Sequence, residues 1–231
     1  MPPLRRDRLP DWVLFDVEGT LLDGRDPLRW AESAAAAGLP SDPEAIAHFV
    51  EELEAAGDRE EPPPGPEEFW RRVFGKIAAA PVDPARIPLF LAYLASPPPP
   101  ARAFSDVAHG LRELRRQRIR LAILATDEAG AVAARLHRAG LSDRFEFVEA
   151  AGAAPAADPG RFARAVARAG SPPERLVYVG AFPHRGVRAA RAAGIPALWL
   201  NRRGTGLGGE LPEIVSLREL PEALRAGVRL K

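Results

Sequence analysis

The chain has 231 residues, 46% hydrophobic and 27% charged, which supplies a substantial core and excludes a broadly disordered polymer. A formal net charge of +1 makes neither nucleic acid nor a membrane surface an expected partner, so any basic site must be local. Cysteine is absent, which removes disulfides, thiol nucleophiles and thiolate metal sites together. The opening segment Met1-Pro2-Pro3-Leu4-Arg5-Arg6 reaches only a short apolar run, too short for a signal or spanning segment. A cytoplasmic protein is therefore expected.

In chain order, the apolar run Trp12-Val13-Leu14-Phe15 reads as a buried strand, ended by Asp16 and Gly19 in a tight turn. From Pro27 the pattern turns helical, with segments predicted over 28–37, 43–56, 69–80 and 87–95. Proline clusters at 61–66 and 97–100 read as stiff connectors. The pattern then alternates: helix 106–117, strand 119–125, helix 128–139, strand 145–148, helix 159–169, strand 176–180, helix 187–193 and strand 196–200. Strands separated by helices imply right-handed crossovers and a parallel sheet covered on both faces. The expected class is α/β, a doubly wound parallel sheet formed by 1–24 and 97–231, with a helical insertion over 25–96.

In such a sheet ligands gather at the carboxyl ends of the strands, so Asp16, Thr126, the loop near Ala156, and Ala181 are the positions to inspect. The stretch Asp16-Val17-Glu18-Gly19-Thr20-Leu21-Leu22-Asp23 resembles the first motif of the haloacid dehalogenase superfamily, whose phosphatase branch has Asp-x-Asp-Gly-Thr-Leu. Further on, Thr126 stands at its second-motif hydroxyl, and Asp158-Pro159 with Phe162 resembles the end of its third motif. Val177-Tyr178-Val179-Gly180, followed by Ala189 to Ile195, resembles its fourth. The resemblance implies a Rossmann-like core with a helical cap. It also implies Asp16 as nucleophile, Glu18 in place of the acid–base aspartate, Thr126 binding the transferred group, and Mg²⁺ held at Asp16 and the Glu18 carbonyl. Splitting one displacement between a carboxylate nucleophile and a carboxyl proton donor suits that chemistry. Gly19, Thr20 and Asp127 would line the ligand.

The departures are specific. Glu18 moves its carboxyl by roughly an ångström relative to aspartate. Ala156 stands where the family has a lysine, and Ala181 and Gly186 stand where it has acids that hold the metal. No acid occurs between Arg175 and Gly209, while His184, Arg185 and Arg188 make that loop basic. Mg²⁺ binding is therefore expected to be weak or absent, because a hard cation needs several oxygen ligands. His184 or Arg185 could compensate Asp16 or bind an anion, and Arg161 or Arg164 could replace the lysine. The expected protein is a degenerate member binding a small anionic or phosphorylated molecule, with no protein partner identifiable. Two alternatives remain open: an active hydrolase of a small phosphate ester, and a metal-free dehalogenase, for which Trp199-Leu200-Asn201-Arg202-Arg203-Gly204 is the cue. His48, His109 and His137 lack metal-ligand spacing and read as surface residues. Trp30, Phe69 and Trp70 read as packing residues, and Arg112, Arg115, Arg116 and Arg118 as a solvated helix face.

Overall fold

The structure, a computed structural model, describes residues 9–23, 27–57, 65–95, 102–125, 128–150, 160–202, 204 and 211–227. The chain divides into two compact units, Met1–Gly24 with Pro100–Lys231, and Arg25–Pro99. Among the described residues no helix is long and apolar enough to cross a membrane.

The first unit opens with β1 (Trp12–Phe15) and β2 (Leu22–Asp23). The second unit holds α1 (Pro27–Ala36), α2 (Pro43–Gly57), α3 (Pro66–Ile77) and α4 (Arg86–Leu94). Its core is an aromatic cluster in which Trp70 meets Phe90 at 4.7 Å and Trp30 at 5.6 Å between ring centroids. Helix α3 begins at Pro66, inside the predicted connector, because proline suits the first turn, where its missing N–H leaves no hydrogen bond unmade.

The chain re-enters the first unit at β3 (Arg102–Ala103), antiparallel to β2. There follow α5 (Val107–Arg116), β4 (Arg120–Ala125), α6 (Ala129–Arg138), β5 (Phe147–Ala150), α7 (Gly160–Ala169), β6 (Leu176–Gly180), α8 (Ala189–Ala192), β7 (Ala197–Leu200), β8 (Glu213–Ile214) and α9 (Leu220–Ala226). Among the described residues six strands form one parallel sheet in the order β5-β4-β1-β6-β7-β8. Side chains alternate between its faces, as strand geometry requires. Val13, Phe15, Ile123 and Val179 join one buried cluster, and Trp12, Leu14, Leu124 and Tyr178 the other. The doubly wound α/β reading thus holds, with five differences. Strand β5 begins two residues later than expected. β8, α9 and the β2–β3 pair carry too few residues for a periodic signal. Residues Pro183–Arg188 form a π-helical turn, and α-helix begins only at Ala189.

Candidate functional site

Strand order reverses beside β1: the chain builds outward through β4 to β5, then returns to place β6 on the other side of β1. The crevice of such a sheet lies at that reversal, at the strands' carboxyl ends. Asp16 follows β1 there, 7% exposed, its N–H donating to the Val179 carbonyl at 3.0 Å. Next, the Val17 carbonyl accepts from the N–H groups of Thr20, Leu21 and Leu22 at 3.3, 2.9 and 3.0 Å. Gly19 makes this turn with φ +70°, a conformation that side chains resist.

Across the crevice, Ala181 follows β6. Its N–H donates to the hydroxyl of the fully buried Thr20 at 2.9 Å, and its carbonyl accepts from the Trp199 indole at 3.1 Å. A Cβ added to Gly19 would lie 3.0 Å from the Ala181 Cβ, so the two residues are in close contact. Thr20 therefore joins the first loop to the fourth-motif loop.

Glu18 is directed to α6, where Arg135 Nη1 stands 2.6 Å from its Oε1. Both side chains are 24% exposed. Held this way the carboxyl anchors a helix. Arg164 is likewise engaged, its Nε donating to Glu149 Oε1 at 2.7 Å. Arg161 is 3% exposed in the first turn of α7, with its guanidinium 4.9 Å from the Phe162 ring centroid. Thr126, Asp127, Ala156 and Asp158 lie outside the described residues, as do the side chains of His184 and Arg185. His48, His109 and His137 are exposed, as is the row Arg112, Arg115, Arg116 and Arg118.

The sequence flagged Arg202 only as part of a dehalogenase-like strand end and gave no signal for the partners it has. Arg202, beyond β7, donates to the Thr20 carbonyl and to Asp106 Oδ2, each at 2.8 Å, and its guanidinium stacks 4.0 Å from the Phe104 ring centroid. Asp106 Oδ2 also accepts from the Ser216 hydroxyl and the Leu217 N–H, both at 2.8 Å. Burial alone would raise the Asp106 pKa, but the Arg202, Leu217 and Ser216 hydrogen bonds outweigh it and hold the carboxyl below its usual range. Asn201 donates to Glu213 Oε2 at 3.1 Å. The segment that resembled a dehalogenase strand end is thus spent on bracing the loop after β1 and β8.

Residues 10–194 match the family described as haloacid dehalogenase-like hydrolase. The chain belongs to that family. It is 36% identical over 117 residues to the phosphoserine phosphatase of Thermus thermophilus, a match covering 50% of this chain and 43% of that protein. The chain thus spans less than half the length of that relative. Among solved structures it resembles a putative hydrolase of the same superfamily from Bacillus subtilis, bound to magnesium, with a TM-score of 0.67 at 19% identity over 94% of this chain and 99% of that one. An L-2-haloacid dehalogenase gives 0.62 at 21% identity, covering 93% and 98%. A phosphatase of the superfamily from Thermococcus onnurineus gives 0.56 at 26%, covering 92% and 96%.

The donor set decides whether Mg²⁺ fits this member of the haloacid dehalogenase-like family. Asp16 and the Glu18 carbonyl are oxygen donors, but Ala181 and Gly186 bring no side-chain oxygen. Among the described residues no group of three acidic or histidine side chains is placed to hold a metal. The described residues do not fit a hard cation that takes six or more oxygens.

Proposed function

We propose that this chain is a haloacid dehalogenase-like protein whose core has lost Mg²⁺-dependent phosphoester hydrolysis and binds a small anionic molecule, phosphorylated metabolites being the first class to try. The observation that carries the reading is the fate of the residues flanking Asp16. Ala181 packs on Gly19 at the metal position, and Glu18, at the acid–base position, pairs with Arg135. Asp16 can still present a carboxylate, but neither the cation nor the proton donor that phosphoryl transfer draws on is supplied by those neighbours. The basic run His184, Arg185 and Arg188, with no acid between Arg175 and Gly209, favours an anion as ligand.

The test is a phosphoester panel, including p-nitrophenyl phosphate, assayed with Mg²⁺, Mn²⁺, Co²⁺ and no metal. No turnover above background is expected, with a thermal upshift on binding phosphorylated metabolites. Turnover abolished by Asp16→Asn would refute the reading. Dehalogenation receives no support from Asn201 and Arg202, since both are engaged with the scaffold.

A further inference from the structure

The geometry points to a core that excludes a metal-holding acid, and with it a divalent cation, rather than merely lacking that acid: the Tyr178 hydroxyl fills the space into which a side chain at Gly186 would have to extend. This inference rests on the proposed loss of Mg²⁺-dependent chemistry and gives it a physical cause.

Gly180 and Gly186 bracket the Tyr178 hydroxyl. A Cβ at Gly180 would lie 2.7 Å from the Tyr178 oxygen, and one at Gly186 would lie 2.8 Å from it, with ring Cε1 at 3.2 Å. Real Cβ atoms essentially never approach other atoms that closely. Neither glycine is among those with left-handed φ, so what demands glycine at both positions is space and not backbone conformation. Gly186 is the position aligned with the second metal-holding acid. An aspartate there would meet the tyrosine hydroxyl before it could reach a cation. The π-helical turn Pro183–Arg188 carries Gly186 over the ring, in keeping with the use of π-turns at rebuilt functional loops.

The hydroxyl cannot simply swing away, because the ring is locked. Tyr178 is 2% exposed and meets the Phe162 ring edge-on, with centroids 5.6 Å apart. The packed series Phe162, Tyr178 and Gly186 therefore opposes a metal-holding acid by volume.

Two measurements test this. In thermal unfolding, Gly186→Ala should lower Tm by roughly 2–10 °C in the natural background, and by less than half as much in a Tyr178→Phe background. Equal losses in both would overturn the steric part. In a Mn²⁺ titration followed by electron paramagnetic resonance, the unaltered chain should bind no ion tighter than about 1 mM, the weak end of measured cation sites. Ala181→Asp with Gly186→Asp should bind Mn²⁺ at least about tenfold tighter once Tyr178→Phe is added. Micromolar binding by the unaltered chain, or an affinity of the double aspartate variant indifferent to Tyr178, would overturn the inference. If the double aspartate variant does not fold, the Gly186→Ala comparison and the titration of the unaltered chain still decide. Metal-independent phosphoester turnover would refute the proposed function and leave cation exclusion standing, whereas tight Mn²⁺ binding without turnover does the reverse.

Discussion

Replacing Arg202 with methionine keeps an apolar stem against Phe104 while deleting the guanidinium. Two hydrogen bonds of 2.8 Å are lost, one to the Thr20 carbonyl and one to Asp106 Oδ2. Asp106, 6% exposed, keeps its contacts with Ser216 and Leu217 but loses its counter-charge. Breaking a buried ion pair from one side costs about 3–5 kcal/mol. Arg202 is 15% exposed, and Asp106 retains two donors, so about 2–4 kcal/mol is expected. Urea unfolding followed by circular dichroism reads the loss directly, and the double variant with Asp106→Asn should lose less than the sum of the two singles. The sign with pH is fixed by the lowered Asp106 pKa. Its stabilisation is fully present above about pH 4 and is lost as pH falls through the folded-state value. Arg202→Met should therefore flatten the acid side of the stability profile. A variant within about 0.5 kcal/mol of the natural protein, with an unchanged acid slope, would refute the reasoning.

Three further substitutions probe other contacts. Gly110→Ala in α5 would place a Cβ 2.9 Å from both the Leu217 carbonyl oxygen and its Cβ, and the backbone atom cannot rotate away, so a loss of about 2–3 kcal/mol is expected in the same unfolding assay. Arg118 ends α5 with φ +61° where glycine is the usual residue, and Arg118→Gly should raise stability by about 0.5–1 kcal/mol. Glu18→Gln should cost about 1 kcal/mol, with no further loss when Arg135→Met is added, because the two side chains form one ion pair. Additive losses at that pair would show that Glu18 is not the anchor described.

The sheet was legible because its strands are continuous apolar runs separated by helices, and the loop after β1 because Asp16, Gly19 and Thr20 follow one such run in order. What could not be read are contacts between distant residues. Arg202 and Asp106 are 96 residues apart, and nothing local marks either as the other's partner. Arg161 entered as a candidate replacement for the lysine, and no local pattern marks it for the burial it has. Gly186 reads as a lost acid, yet the reason an acid would not fit is the hydroxyl of Tyr178, which only the fold brings beneath it. Glu18 looked like a weakened acid–base residue because its partner, Arg135, sits on a helix of otherwise ordinary surface pattern.

The central claim is that the core no longer runs Mg²⁺-dependent phosphoester chemistry. Hydrolysis of p-nitrophenyl phosphate by the purified chain, with and without Mg²⁺, tests it most directly. The same background rate is expected in both conditions and in Asp16→Asn; a Mg²⁺-stimulated rate that Asp16→Asn abolishes would contradict that loss.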